Sequence, residues 1–169
     1  MEKRVSRCSA TFWGVALVGV LVDQLTKWWA VTSLGEQPVR LVGDFLFLRL
    51  IRNPGAAFSL GSGRAWLFAV MAVVVSGAIV WYARRVTSFA WAWTLGLLLA
   101  GAVGNLIDRL FRAPGFGAGH VVDFIGYGNW FIGNVADIYL VVAAIVLAVL
   151  AAMGVPLSGA DSAAGDVGD

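Results

Sequence analysis

The chain has 169 residues, 60% of them hydrophobic and only 13% charged, with a formal net charge of +2. So apolar a composition excludes an ordinary soluble domain and points to a polytopic membrane protein. A small charge with no basic run excludes a nucleic-acid partner, and a single cysteine and a single histidine exclude cysteine-built zinc sites and multi-histidine metal sites.

The N-terminus, "MEKRVSR" followed by an apolar run, imitates a secretory signal. It carries no A-x-A-like cleavage site and continues into "DQLTKWW", so it reads as a retained first span. Cys8 lacks a lipobox-like context and reads as a bystander in the basic flank. Span 1 is predicted over Thr11–Val31. Within it Asp23 and Lys27 are four apart and share a helix face. They fit a salt bridge that anchors the helix end at the interface, and they fit a role at a site.

About thirty residues follow, here marked out as an outer lobe over 32–64. "VRLVGDFLFLRLIRN" is rich in β-branched and aromatic residues and broken by Gly43, which predicts two short strands. "NPGAAFSLGSG" reads as turn and loop. Span 2, Ala65–Ala83, carries no charge, and span 3 is predicted over Ser88–Ile107. Gly96, Ala100 and Gly104 place small residues at spacing four on span 3, a stripe for close helix packing. The linker "APGFGAGHVVDFIGYGN" is glycine-rich and predicted to bend repeatedly. Span 4 is predicted over Trp130–Met153. Each span approaches the ~20 residues that cross a bilayer core, and Trp28, Trp29, Trp81, Trp91 and Trp130 lie near proposed ends, as an aromatic belt requires. Residues 155–169 form a small acidic tail predicted to be disordered and cytoplasmic. The basic clusters Lys3-Arg4-Arg7 and Arg84-Arg85 put both termini in the cytoplasm, although the full count of basic residues is six outside against five inside.

An ionised side chain in hydrocarbon costs at least about 2.5 kcal/mol, so buried polar residues need a partner or a function. "GNLID" (Gly104–Asp108) closes span 3 and "GNVAD" (Gly133–Asp137) opens span 4. Each puts Asn and Asp three apart on one face, and both fall at the outer membrane surface. Asp123 and Asp137 would lie about 21 Å apart on one continuous helix. Gly126, Gly128 and Gly133 intervene, so the chain can double back and bring them together. Two adjacent carboxyls share a proton, the state in which one activates water and the other polarises a carbonyl. Each aspartate alone also fits a helix cap or an interface anchor.

With these residues in view, the chain resembles the bacterial lipoprotein signal peptidases, also called signal peptidase II. The resemblance rests on "DQLTK" (Asp23–Lys27), "RNPGAAFS" (Arg52–Ser59), "GNLIDR" (Gly104–Arg109), "GHVVDF" (Gly119–Phe124) and "GNVAD" (Gly133–Asp137), in the family's order. It implies an all-α membrane protein, a single domain over 1–154, with four transmembrane helices and a small extracytoplasmic β-cradle between helices 1 and 2. It implies an aspartic endopeptidase of the bacterial cytoplasmic membrane, active near its outer face and needing no metal or organic cofactor. The partners would be membrane lipid and diacylglyceryl-modified prolipoproteins, cut just before the lipidated cysteine, and globomycin-like inhibitors. Asp123 and Asp137 would be catalytic. Asn53, Asn105, Arg109 and Asn134 would bind substrate, Asn134 also supporting the site with Asp108, Asp23 and Lys27. Three features depart from the family pattern: Gly133 stands where Phe is common, Ile138 where Ser or Thr is common, and the linker between the aspartates is short. His120 reads as structural or as a hydrogen-bond neighbour. A proton-coupled transporter could use such acids as a relay, but these gather at one face rather than along a path; a noncatalytic scaffold leaves the twin Asn-Asp motifs without a role.

Overall fold

The computed structural model describes residues 2–35, 37–55 and 65–158, with the backbone alone for 2–4. The predicted loop after Gly55, with the second half of "RNPGAAFS", the tail beyond residue 158 and the side chains of Lys3 and Arg4 lie outside the described residues. Eight elements follow one another: α1 (Glu2–Ser33), β1 (Val39–Val42), β2 (Leu46–Asn53), α2 (Ala65–Ala83), α3 (Phe89–Phe111), β3 (Val121–Tyr127), β4 (Phe131–Gly133) and α4 (Val135–Ala152). All four helices are long and apolar enough to cross a membrane.

The central helix is α3, the most buried of the four, in contact with α1, α2 and α4. Its small residues explain why. A Cβ built on Gly96 would stand 2.7 Å from Phe12 O of α1, and one on Gly104 would stand 2.5 Å from Asp23 Oδ2. On the next face, a Cβ on Gly101 would meet Ala136 O of α4 at 2.7 Å. The predicted packing stripe is therefore used by α1, and Gly101 admits α4. Outward faces stay apolar: Val73 and Val74 on α2 and Val141 and Ile145 on α4 are exposed, as lipid contact demands.

Two sequence expectations change here. α1 starts nine residues before Thr11, and Cys8 is no flank bystander: it is buried in a cluster with Phe12, Ile79, Val86 and Leu95. The bend-rich linker contains β3, and β4 follows it where span 4 was expected to start. They join β1 and β2 in an antiparallel sheet of order β1-β2-β3-β4. The lobe thus begins between α1 and α2 as expected and takes its second half from the α3–α4 connection. Of the glycines that suggested a loop, Gly126 is paired inside β3, and Gly128, at φ 54°, makes the β3–β4 turn that "GYGN" predicts. Consequently Phe131–Gly133 is strand, not the start of span 4, and α4 begins at Val135 behind Asn134.

Candidate active site

Strand alternation aims Asp123. Val122 and Phe124 point into a core with Ala30 of α1, so Val121 and Asp123 face the other way, into a cavity. Strand pairing sets Ile51 opposite Asp123 and Asn53 opposite Val121. Asn53 is therefore the same-face diagonal neighbour of Asp123, and its Nδ2 donates to Asp123 Oδ2 at 2.9 Å.

Helix capping holds Asp137. Asn134 is the N-cap of α4; its Oδ1 accepts from Asp137 N at 3.1 Å, and Asp137 Oδ2 accepts from Asn134 N at 3.1 Å. This is a capping box with Asp in the third helical position. Asn134 has a further contact: its Nδ2 donates to Asp123 Oδ1 at 2.6 Å. One buried asparagine therefore joins both aspartates, and the thirteen residues between them are closed by a hairpin. From α3, Asn105 Nδ2 donates to Asp137 Oδ1 at 2.9 Å.

Both aspartates line a cavity of about 320 Å³, with Asn53, Asn105 and Arg109 as its other polar walls and Phe68, Met71 and Val75 of α2 as an apolar one. A more apolar hollow of about 500 Å³ lies against α4 and shares Phe131, Asp137 and Leu140 with the first. Burial pushes the Asp123 carboxyl up from 3.8 to about 6; the charge of Asp137 adds to this, while the amides of Asn53 and Asn134 oppose it.

Of the predicted substrate contacts, Asn53 and Asn105 line the cavity with Arg109, whereas Asn134 is buried and lines the adjoining hollow. Arg109 directs its guanidinium to backbone: Nη1 donates to Asn53 O at 3.2 Å and Gly119 O at 3.1 Å, and Nη2 donates to Gly55 O. The guanidinium also lies 5.6 Å from the Phe68 ring centroid. It ties the end of β2 to the α3–β3 connection. Asp23, Lys27 and Asp108 form no part of the wall. All three are fully buried, and Lys27 Nζ lies 2.9 Å from an oxygen of each aspartate. The Asp23–Lys27 pair therefore exists as predicted, yet inside the protein rather than at the interface. Gln24 was not anticipated. Its Nε2 donates to Asp23 Oδ2 and Gly104 O at 3.1 and 3.0 Å; only its place inside "DQLTK" hinted at this. His120 donates its backbone N–H to Ala113 O and its side chain lines neither cavity. Among the described residues no three of His, Cys, Asp and Glu are grouped to hold a metal ion.

Two carboxyls facing one cavity, each oxygen held by an amide N–H, can take a proton from water and give one to a carbonyl. The family model described as signal peptidase (SPase) II matches residues 15–153. The chain is 48% identical over 153 residues to a lipoprotein signal peptidase of Bifidobacterium longum subsp. infantis, covering 90% of this chain and 84% of the relative. It is 49% identical over 146 residues to that of Rhodococcus jostii, covering 86% and 74%. A bacterial membrane enzyme solved by the in meso method at 2.3 Å superposes with a TM-score of 0.73 at 30% identity, over 85% of this chain and 87% of the other.

Proposed function

The chain belongs to the signal peptidase II family, and from that premise we propose that Asp123 and Asp137 form the catalytic pair of an intramembrane aspartic endopeptidase. The observation that carries the reading is Asn134, whose side chain bonds Asp123 and caps the turn that holds Asp137. Water between the carboxyls loses a proton to the ionised one and attacks the scissile carbonyl, whose oxygen is polarised by the protonated partner. The tetrahedral intermediate then breaks its C–N bond, and the amine leaves with a proton returned by the pair. A peptide bond and one water become a carboxyl and an amine.

The substrate class is a prolipoprotein whose lipobox cysteine carries diacylglycerol, cut immediately before that cysteine. The apolar wall of α2 and the hollow beside α4 suit a substrate whose acyl chains remain in lipid. A globomycin-like cyclic peptide would occupy the same cavity. Residues 1–154 act as one domain, with the lobe over 32–64 extended by β3 and β4 and residues 155–169 as a cytoplasmic tail. The pair Arg84-Arg85 between α2 and α3 supports cytoplasmic termini in a bacterial multi-pass membrane protein, with the site at the outer face. The test is cleavage of a diacylglyceryl-modified precursor by purified protein in lipid. Asp123→Asn and Asp137→Asn should each abolish it while the protein stays folded. Substantial turnover by either variant overturns the assignment.

A further inference from the structure

Lys27 touches neither cavity, yet its ammonium has three acceptors: Asp23 Oδ2, Asp108 Oδ2 and Asn105 Oδ1, each at 2.9 Å. Three N–H donors meet three oxygens. The far side of each acceptor leads to an aspartate of the pair. Asp23 Oδ1 accepts from Ala136 N at 2.9 Å, the residue before Asp137. Asp108 Oδ2 also accepts from Val122 N at 3.0 Å, the residue before Asp123. Asn105 reaches Asp137 itself. One cation on α1 thus connects to the backbone beside both aspartates, one on a strand and one on a helix.

We propose that Lys27 is a positioning residue that sets the separation of Asp123 and Asp137 and fixes the polarity of the Asn105 amide. The proposal rests on the aspartic-peptidase reading and deepens it. An ammonium donates and cannot accept, so Asn105 must turn its oxygen to Lys27 and its nitrogen to Asp137. Without the cation the amide is free to rotate and present an oxygen to a carboxylate. The separation follows from the two backbone pins. Among the described residues Asp23 and Asp108 are joined only through Lys27 and Gln24, and the Gln24 contact to Asp108 is long, at 3.4 Å. The two pins are therefore released from one another once the ammonium is gone. A pair that activates one water between its carboxyls tolerates little such movement; a displacement of about 1 Å costs on the order of a hundredfold in rate. A helix-anchoring ion pair needs only Asp23 and Lys27. It does not explain the contacts to Asp108 and Asn105. Charge is balanced locally, because Arg112 Nε also contacts Asp108 Oδ1 at 2.5 Å.

The test uses the full chain in lipid, with a diacylglyceryl precursor and Asp123→Asn as the inactive control. The triple variant Asp23→Asn, Lys27→Met, Asp108→Asn keeps a carbonyl acceptor for each backbone pin and removes the fully buried ions together, leaving without its carboxylate only Arg112, whose side chain is partly exposed. It should fold, lose at least about thirtyfold in kcat and keep KM within about twofold. Lys27→Arg, which preserves charge but not reach, should show the same split and serves if the triple variant does not fold. In a double-mutant cycle, Asn105→Ala should add little to the kcat loss of Lys27→Arg, because both break one connection. A folded variant with kcat within about threefold of the native chain overturns the proposal, as do additive losses or a loss confined to KM. With the native chain active and Asp123→Asn inactive, those outcomes leave the peptidase reading standing; turnover by Asp123→Asn instead strikes that reading.

Discussion

Replacing Asp123 with asparagine should abolish turnover and change stability by an amount that shifts in the variant's favour as pH rises. Folding raises the Asp123 carboxyl from 3.8 to about 6, chiefly by burial. The fold therefore favours the protonated form, and the stability it contributes is lost as pH rises from about 3.8 through about 6. Above that window the ionised side chain costs up to about 3 kcal/mol, at 1.36 kcal/mol per pH unit. The amide of the Asp123→Asn variant escapes this cost but brings another. Asn53 Nδ2 and Asn134 Nδ2 both donate to the native carboxylate, at 2.9 and 2.6 Å, and an amide offers only one oxygen. Asn134 cannot turn, because its Oδ1 holds Asp137 N at 3.1 Å, and Asn53 Oδ1 holds Gly55 N at 2.9 Å. One N–H then faces another, a loss of about 1–3 kcal/mol that does not depend on pH. The signature is thus the pH dependence of the difference, not its sign at one pH. Between about pH 4 and about pH 7 the Tm of Asp123→Asn minus that of the native protein should rise by about 4–8 °C, from roughly 2–4 °C per kcal/mol in a chain this size. Tryptophan fluorescence during thermal unfolding in one detergent or lipid across the pH series measures it. A difference that is flat or falls with pH refutes the reasoning.

Three further outcomes follow from the geometry. Gly104→Ala would put a methyl group 2.5 Å from Asp23 Oδ2 and 3.3 Å from Ala136 Cβ, so it should cost about 1–3 kcal/mol by overpacking; an unchanged Tm contradicts the α1–α3 contact. Arg109→Lys keeps the charge but cannot reach the carbonyls of Asn53, Gly55 and Gly119 together, so KM for the precursor should rise about tenfold or more as the end of β2 loosens, and an unaltered KM would remove Arg109 from the wall. Asn134→Ser retains a good helix cap but is too short to reach Asp123, so Tm should fall by only a few degrees while kcat drops on the order of a hundredfold; a native kcat would mean that the 2.6 Å bond to Asp123 has no role in the chemistry.

Much of this architecture is written locally. Span 2, expected at about Ala65 to Ala83, is α2, because nineteen uncharged and mostly apolar residues between Arg64 and Arg84 admit little else. The meeting of Asp123 and Asp137 was also legible, since glycines between two polar motifs signal a reversal. What escaped is information held by distant partners. "VVDFIGY" is short and flanked by glycine, and it becomes strand β3 because β2, some seventy residues earlier, supplies its ladder. The chain over 131–133 looks as apolar as the helix after it, and only its pairing with Ile125, Gly126 and Tyr127 of β3 makes it strand. Cys8 and Gln24 have ordinary neighbours in sequence; their burial follows from α3 packing along α1. Arg109 was expected to meet substrate because of its place in "GNLIDR", the motif shared with the family, and it does line the cavity. Its guanidinium, though, binds carbonyls of its own chain.

Four aspartates crowd this region, three buried and Asp137 half-buried, and their partners divide them. Asp23 and Asp108 contact the cations Lys27 and Arg112. Asp123 and Asp137 form no ion pair among the described residues, and each of their four oxygens accepts from an amide N–H, of Asn53, Asn105 or Asn134. The distinction matters for proton transfer. A contacting cation ties a carboxyl into an ion pair that a transferred proton would have to break. Neutral amides fix the position of a carboxyl with a weaker bias. A pair that must exchange a proton during each turnover needs that second arrangement, with rigid geometry and no cation in contact. The ion-paired cations lie one layer behind, where Lys27 acts through Asn105 rather than on Asp137 directly, while Arg109 shares the cavity wall with its guanidinium bonded to backbone carbonyls. Three asparagines separating two acids from a layer of ion pairs therefore account for which aspartates suit the chemistry and which hold the frame.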